Sequence, residues 1–337
     1  MKFSLTALSR GLAVGVAFAT MSVTAFAQDA GITVYNAQHE SLTQEWADAF
    51  TAATGIAVTI RQGSDLEVGN QILQEGANSP ADVFLTENSP AMVLVDKAGL
   101  FEPLPQDILD QVPAQFRAAD GDWTGIAARS TVFAYNKDKL NADTLPKSMD
   151  DLAAPEWKGR WAASPSGADF QAIVGAYLQL KGEDATLAWL KAMKENAVIV
   201  RGNRTAMASA NKGEVDGALI YHYYYYGDQA GTKESSDNVQ LHFFKNEDPG
   251  AFISLSGGGV LKSSKHKEAA QKFLQFITSA PGQAVLRDGT SFEFAIGVGA
   301  DSNAALPVIA DLHAPTVDQS ALDNAKVTEL MTAAGLL

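Results

Sequence analysis

The most unusual feature of this 337-residue sequence is a run of aromatic side chains at positions 221–226. Five of the eight tyrosines lie in this run, and the remaining position is His222. A phenol has an ordinary pKa of about 10, so it becomes a phenolate at neutral pH only where a strong cation displaces its proton. A hard trivalent ion such as Fe³⁺ can do so, whereas softer metals prefer thiolate or imidazole and Mg²⁺ or Ca²⁺ prefers carboxylate and water. Two phenolates and one carboxylate would balance the charge of Fe³⁺.

Further ligands of such a site are expected where other strands end. His39 follows a predicted strand at residues 32–35, Glu87 follows one at 81–85, and the tyrosine run follows one at 218–220. The carboxyl ends of the strands line the ligand crevice of an open α/β sheet. Taken alone, such a histidine is more often a surface residue and such a glutamate a solvated charge. Their joint placement on the crevice edge is the more specific signal.

The elements that position these residues alternate along the chain. Three strands and three helices follow one another within residues 32–99, which is typical of a parallel sheet with helices on both faces. The alternation resumes in the middle of the chain. Two long extended runs, at residues 125–135 and 252–256, flank this middle block, and a tight turn is predicted at Gly257–Gly259 after the second run.

The two extended runs predict connecting strands between two α/β lobes, so the first lobe is discontinuous. We assign residues 28–128 and 253–305 to the N-terminal lobe, and residues 129–252 and 306–337 to the C-terminal lobe. The length of the chain agrees with this division, because it exceeds what one hydrophobic core usually supports.

The composition excludes several classes of protein and of site. The sequence has no cysteine, which excludes disulfides, cysteine-ligated zinc, iron–sulfur clusters and thiol nucleophiles. Asp and Glu number 39 against 25 Lys and Arg, a net charge of −14. Such an acidic surface repels phosphate backbones, so nucleic acid is not expected as a partner.

The first 27 residues predict a secretory signal sequence. Lys2 and Arg10 precede an apolar stretch at residues 11–23, and the small-residue pattern Ala-Phe-Ala at residues 25–27 ends it. This stretch is shorter than the ~20 residues that cross a bilayer, so cleavage after residue 27 is favoured over a membrane anchor. The mature chain keeps 23 of the 25 basic residues against 39 acidic ones, a net charge of −16. It is expected to be a soluble, monomeric protein of the periplasm that is not embedded in the membrane.

Several segments together resemble the periplasmic ferric-ion-binding proteins, the substrate-binding components of ABC iron importers. The resemblance covers nearly the whole mature chain and is carried by residues 32–39 (ITVYNAQH), 81–87 (ADVFLTE), 157–159 (WKG), 166–168 (SGA), 218–220 (ALI) with the adjacent tyrosines 223 and 224, 248–251 (DPGA) and 333–336 (AAGL). It implies an α/β, bilobed class II periplasmic-binding fold, Fe³⁺ as the transported ligand and an inner-membrane ABC permease as the partner. It implies no enzymatic activity.

Carried over by position, the resemblance implies His39, Glu87, Tyr223 and Tyr224 as the iron ligands. Adjacent tyrosines reach one ion only where the backbone is irregular, because neighbouring side chains diverge by about 180° in a strand and by about 100° in a helix. We therefore predict a strand-to-helix turn at residues 223–224. Tyr225 or Tyr226 is expected to pack as support, or to replace one of the two ligands.

In that family a small synergistic anion fills the remaining coordination sites. Ser166, Gly167 and Ala168 lie where a turn enters a predicted helix, and backbone N–H groups at a helix N-terminus favour an anion. Asn203, the predicted cap of a later helix, resembles the family's anion-contacting asparagine, and Arg129 on the first connecting strand could supply a charged donor. Ordinary capping by Ser166 and Asn203 and a surface ion pair for Arg129 are equally open. Phosphate, carbonate and citrate are all candidates for the anion.

Two other functions stay open from the residues. In one, the tyrosines form an aromatic box for an organic cation such as a polyamine or thiamine, through cation–π attraction. In the other, the protein is a periplasmic hydrolase or metalloenzyme, although no nucleophile and base occur at a recognisable spacing. Reversal of ligand binding by a chelator separates the metal site from the aromatic box, and turnover assays test the enzyme.

Overall fold

The computed structural model describes Met1 and residues 31–337, so the predicted signal sequence lies, Met1 apart, outside the described residues. The strands are β1 (Ile32–Asn36), β2 (Val58–Gln62), β3 (Val83–Leu85), β4 (Phe101–Glu102), β5 (Thr124–Asn136), β6 (Trp161–Ala163), β7 (Ala197–Ile199), β8 (Gly217–Tyr221), β9 (Val239–His242) and β10 (Ile253–Leu261). The helices are α1 (Glu40–Thr54), α2 (Asp65–Glu75), α3 (Ser89–Lys97), α4 (Gln106–Leu109), α5 (Ala168–Lys181), α6 (Glu183–Asn196), α7 (Asn203–Asn211), α8 (Tyr223–Ala230), α9 (Lys267–Thr278), α10 (Ala280–Asp288) and α11 (Asn324–Ala333).

Eight of the strands described form one continuous path in the order β2-β1-β3-β10-β5-β8-β6-β7, while β4 pairs with β10 and β9 pairs with β5. β1 pairs in parallel with β2 and β3, and β6 pairs in parallel with β7 and β8. Between these two parallel groups lie β10 and β5, which run antiparallel to their neighbours. The sheet therefore consists of two parallel halves joined by two long strands.

β5 belongs to both halves of the sheet. Its residues up to Ser130 pair with β10, and its residues from Thr131 onward pair with β8 and β9. β10 begins at Ile253, directly opposite Ser130. The chain thus passes between the halves at these two adjacent points, as the two extended runs predict. The lobe boundaries themselves stay a prediction.

Each half of the sheet has a hydrophobic core on both of its faces. Trp46 of α1 and Phe273 of α9 lie in the core on one face of the first half, and Phe84 lies on the other face. In the second half, Phe133 and Val132 belong to opposite faces because successive side chains of a strand alternate. Full burial of each such aromatic side chain stabilises the fold by about 1.5–3 kcal/mol. Separate cores in the two halves support a two-lobed molecule.

The predicted tight turn at Gly257–Gly259 is wrong, because these glycines continue β10. They pair with β3 and β5, and a side chain at either end of the run would collide with a neighbour. A Cβ on Gly257 would lie 2.4 Å from Cγ of Met92 in α3, and a Cβ on Gly259 would lie 2.5 Å from the ring of Phe101 in β4. The glycines therefore serve close packing on a central strand rather than a reversal of the chain.

Six helices begin just beyond the carboxyl end of a strand in one of the parallel groups. They are α1, α2 and α3 in the first half and α5, α7 and α8 in the second. Such an arrangement places helix N-termini, with their partial positive charge, along one edge of each half. Among residues 31–337, no helix is both long and apolar enough to cross a membrane.

Candidate metal centre

The tyrosine run lies at the transition from β8 to α8. β8 ends at Tyr221 and α8 begins at Tyr223, which confirms the predicted strand-to-helix turn, with the helix beginning at the first of the two proposed ligands. The rings of Tyr223 and Tyr224 lie 4.2 Å apart with 30° between their planes. Both hydroxyl groups reach Oδ2 of Asp169, at 3.4 Å from Tyr223 and 3.0 Å from Tyr224. Adjacent side chains therefore converge on one point.

The next two tyrosines pack as support. The ring of Tyr226 stacks on that of Phe292 at 6.0 Å, and the ring of Tyr225 meets Tyr226 edge-on at 5.4 Å. Tyr226 also contacts the imidazole of His222, which is fully buried beneath the turn. These contacts hold the start of α8 in place.

His39 and Glu87 from the first half of the sheet meet Tyr223 from the second. Nε2 of His39 lies 3.1 Å from Oε1 of Glu87, and the same oxygen accepts a hydrogen bond of 2.7 Å from the hydroxyl of Tyr223. Ligand atoms bound side by side to one small hard cation at about 2.1 Å lie about 3 Å apart. Nε2 of His39 and the hydroxyl of Tyr223 therefore each lie at the spacing of a neighbouring ligand from Oε1 of Glu87.

Secondary structure explains why these side chains point inward. His39 immediately precedes α1, and Glu87 lies in the short link between β3 and α3. The link is held by Asp65, the first residue of α2, whose carboxylate accepts hydrogen bonds from the backbone N–H groups of Glu87 at 2.8 Å and Asn88 at 3.1 Å. Burial and the nearby charge of Glu87 raise the pKa of Asp65 to about 7.

The protonation of the proposed ligands follows from burial and charge. Burial disfavours the His39 cation, but hydrogen bonds to Glu293 and Glu87 outweigh it and raise the pKa of His39 to about 10. Burial also disfavours the Glu87 carboxylate, yet its pKa is lowered because His39 donates to it and Arg129 is close. Without a cation, the site therefore holds an imidazolium beside a carboxylate.

The phenols are held in their protonated form. Burial, followed by repulsion from the Asp169 and Glu87 carboxylates, raises the pKa values of Tyr223 and Tyr224 well above their ordinary value. Only a strongly charged cation can displace these protons at neutral pH. The chemistry of the donor set therefore favours a hard, highly charged ion over a divalent one.

Asp169 is a site residue that was not predicted from the sequence. It is the second residue of α5, and its carboxylate contacts both tyrosines and accepts a hydrogen bond of 2.8 Å from the side chain of Asn203. Burial and repulsion from Glu87 raise the pKa of Asp169 to about 6. The available signal was its position directly after residues 166–168, the predicted anion-binding turn.

A cleft of about 470 Å³ opens beside the proposed ligands. Its walls include the N-termini of four helices, α1, α2, α5 and α7. Of the five predicted anion-binding residues, Gly167, Ala168 and Asn203 line this cleft, whereas Ser166 is exposed and is not among the lining residues. Asn203 is the first residue of α7 rather than its cap, which is Gly202 in a left-handed conformation (φ 89°). The side chain of Asn203 is therefore free of a capping role and turns to Asp169.

Arg129, the fifth predicted anion-binding residue, is fully buried behind the ligands and does not line the cleft. Its guanidinium lies 3.6 Å from Oε1 of Glu87 and 3.4 Å from Oε2 of Glu293. Arg129 is thus part of a buried ion network that fixes Glu87, and it is not the surface ion pair that was one of its open roles.

The rings leave no room for an aromatic box between the two proposed ligands. Tyr223 and Tyr224 pack against each other, and their hydroxyl groups, rather than their ring faces, turn toward Asp169. A box for an organic cation needs ring faces open to the ligand. The geometry therefore favours binding through the phenol oxygens.

Comparison with known proteins places the chain in a family. The profile of the family described as bacterial extracellular solute-binding protein matches residues 78–321. The chain is 62% identical over 309 residues to a protein of Serratia marcescens named Fe(3+)-binding periplasmic protein, covering 92% of this chain and 91% of that one.

The fold is also found in solved structures. Iron-bound HitA from Pseudomonas aeruginosa superposes with a TM-score of 0.85 at 39% identity, over 91% of this chain and all of that chain. A Trichodesmium protein in complex with iron and citrate superposes with a TM-score of 0.82 at 26% identity, over the same shares. These likenesses confirm the expected bilobed class II fold.

Proposed function

The chain belongs to the family of bacterial extracellular solute-binding proteins, and we propose that it is a periplasmic receptor that binds Fe³⁺ between its lobes and delivers it to an inner-membrane ABC importer. The observation that carries this proposal is the meeting of His39 and Glu87 from one lobe with Tyr223 from the other, at ligand spacing. The protein acts by binding and release, not by catalysis. The relative from Serratia marcescens, which is named for Fe³⁺ and for the periplasm, supports both the cargo and the compartment.

We assign the ion to four protein ligands, His39 through Nε2, Glu87 through Oε1, and Tyr223 and Tyr224 through their hydroxyl oxygens. Fe³⁺ displaces the phenol protons, and two phenolates with one carboxylate then balance its charge. Neutral His39 joins after losing its Nε2 proton. Closure of the two lobes about β5 and β10 brings the tyrosines onto the half-site formed by His39 and Glu87.

Two groups compete for the remaining positions around the ion, namely the carboxylate of Asp169 and a small anion. Asp169 already contacts both tyrosines, so its carboxylate is within reach of the same ion. An external anion such as phosphate, carbonate or citrate would lie against Gly167 and Ala168, where the N-terminus of α5 favours negative charge. If Asp169 supplies the oxygen ligand, the need for an external anion is reduced.

Absorption spectroscopy tests the cargo. Ferric nitrilotriacetate is added to the mature chain, residues 28–337, and the phenolate-to-iron charge-transfer band is recorded with and without phosphate, carbonate or citrate. We expect a coloured complex that a chelator reverses, no band when both Tyr223→Phe and Tyr224→Phe are present, and a normal band for the matched control Tyr225→Phe. A colourless wild-type protein would refute the iron assignment, and a thermal shift with spermidine or thiamine that survives a chelator would favour the organic-cation alternative.

Iron uptake tests delivery. In the source bacterium, deletion of the gene is expected to reduce uptake of radioactive iron under iron limitation, and the wild-type gene, but not the double tyrosine variant, is expected to restore it. Unchanged uptake after deletion would contradict the transport role while leaving the binding assignment intact.

The dependence of the charge-transfer band on added anion tests whether Asp169 is a ligand of the ion. We expect Asp169→Asn to make the band depend on added citrate or phosphate more strongly than it does in the wild type. An unchanged dependence would show that Asp169 is not a ligand.

A further inference from the structure

Glu293 lies behind His39, on the side of the imidazole that faces away from Glu87. On the premise of the proposed iron site, we propose that Glu293 is a positioning residue. It accepts a hydrogen bond from the Nδ1–H group of His39 and thereby keeps the Nε2 lone pair directed at the ferric ion. Glu293 itself does not touch the ion. No motif in the sequence marks Glu293 for this role.

The geometry places one carboxylate on each nitrogen of the ring. Nδ1 of His39 lies 3.0 Å from Oε1 of Glu293, while Nε2 lies 3.1 Å from Oε1 of Glu87. The side chain of Glu87 is 21% exposed and lines the cleft, whereas that of Glu293 is 0% exposed. Only the Nε2 side of the ring therefore faces the proposed iron site. Glu293 lies on the Nδ1 side, at the position from which metal-binding histidines are usually oriented.

The other oxygen of Glu293 is held by groups that keep the carboxylate ionised. Oε2 accepts hydrogen bonds of 2.9 Å from the hydroxyl of Ser256 and 3.2 Å from the side chain of Gln38, and it pairs with Arg129 at 3.4 Å. Gln38 also accepts the backbone N–H of His39 at 2.7 Å. The network therefore fixes both the backbone and the ring of His39.

The backbone that carries Glu293 is held in an unusual conformation. Phe292, the residue before it, has φ 54°, a left-handed conformation that is rare for a large side chain. Phe294, the residue after it, pairs with Ala128 of β5 and stacks on His222 at 4.5 Å. Strained backbone of this kind persists where the surrounding structure enforces it and clusters at functional sites. Here its consequence is that Glu293 turns inward between two anchored phenylalanines.

A competing role for Glu293 is merely to neutralise Arg129. The two roles differ in what Glu293→Asp does, because that change keeps the charge near Arg129 but shortens the reach to His39. They also differ in the tautomer of the ring, since withdrawal of the carboxylate from Nδ1 in Glu293→Asp frees the Nδ1 proton to move.

The test compares Glu293→Gln and Glu293→Asp with the wild type. Asp82→Asn is the matched control, because Asp82 is a buried carboxylate that contacts His266 through Nδ1 at 3.3 Å, away from the residues that line the cleft. Two readouts are measured: the rate of iron transfer to an excess chelator, and the ¹⁵N shifts of His39 in protein loaded with diamagnetic Ga³⁺.

We expect both Glu293 variants to release iron about 10- to 100-fold faster than the wild type, with altered His39 shifts, whereas Asp82→Asn leaves both unchanged. The proposal would be overturned if both Glu293 variants, or Glu293→Asp alone, released iron at the wild-type rate and showed the wild-type ¹⁵N shifts of His39. A wild-type protein without a charge-transfer band would instead refute the iron site itself, so the two failures are distinguishable.

Discussion

The hydroxyl of Tyr223 donates a hydrogen bond of 2.7 Å to Oε1 of Glu87, although 136 positions separate the two residues in the chain. Tyr223 begins α8 in one half of the sheet, and Glu87 follows β3 in the other. A contact of this length across the two halves means that the lobes are closed on each other at this point. Because the donor oxygen is also a proposed ligand, the same contact marks where an ion would replace a proton.

The first prediction concerns the Tyr223 hydroxyl, whose proton the ion would replace. Tyr223→Phe removes the phenol oxygen but keeps the packing of the ring against His39 and Tyr224, whose rings lie 4.8 Å and 4.2 Å away. We expect the variant to fold with near wild-type stability and to lose at least 10-fold in Fe³⁺ affinity, measured by competition with a chelator. Tyr225→Phe is the control, and an equal loss in both variants would contradict a specific role for Tyr223.

Iron loading is expected to release roughly three protons at neutral pH, because metal ligands must be deprotonated. The pKa values of both phenols are raised by burial, and hydrogen bonds to Glu293 and Glu87 hold the pKa of His39 at about 10, so all three groups carry a proton before loading. A pH indicator in weak buffer measures the release. His39→Gln should lower it by one proton, and a wild-type release of one proton or fewer would contradict the ligand set.

In the iron-free protein, the contribution of Asp65 to the stability of the fold should depend on pH. Burial, with the charge of Glu87, raises its pKa to about 7 from an ordinary value near 4, so the folded state keeps a proton that the unfolded state has lost between these values. The stability that Asp65 contributes is therefore lost as the pH rises from about 4 to 7.

The measurement is the free energy of unfolding in urea for Asp65→Asn and for the wild type across this range. Other groups change the stability in the opposite direction over this range. Burial lowers the pKa of His222 to about 4, for example, so its contribution to stability rises with pH. Only the difference between variant and wild type is therefore informative. That difference should shift in favour of Asp65→Asn as the pH rises. A difference that does not change with pH would contradict the raised pKa.

Close packing at β10 gives a prediction about stability. Gly259→Ala places a methyl group 2.5 Å from the ring of fully buried Phe101, and overpacking of this kind costs about 1–3 kcal/mol. Gly227→Ala in α8 is the control, because a Cβ there meets nothing within 4 Å. Chemical unfolding measures both variants, and equal stability of Gly259→Ala and the wild type would show that β4 and β10 can separate.

Local patterns predicted the positions of His39, Glu87 and the tyrosine run, because each follows a hydrophobic strand that the sequence marks clearly. Local patterns also predicted a turn at Gly257–Gly259, since three glycines in a row are locally ambiguous. What decides between turn and strand is the pair of residues packed against them, Met92 and Phe101, and these are distant in the sequence.

Asp169 and Glu293 show the same limit at the site. Neither lies in a pattern that demands a ligand or a positioning role, and both acquire one from partners far along the chain, namely the tyrosines for Asp169 and His39 for Glu293. For Arg129, the predicted position on a connecting strand is confirmed. Its burial between Glu87 and Glu293 could not be predicted from neighbouring residues, because both partners are distant in the chain.

The sequence by itself determined the alternation of strands and helices, the oxygen-rich and cysteine-free set of donors, and the ends of strands at which those donors lie. Hydrophobic periodicity and residue chemistry are local, so they can be read without the fold. Only the tertiary structure decided which donors meet, which way Tyr223 and Tyr224 turn, and which carboxylates stay buried and ionised. Those properties depend on distances between distant segments, and the packing of the two lobes about β5 and β10 sets them.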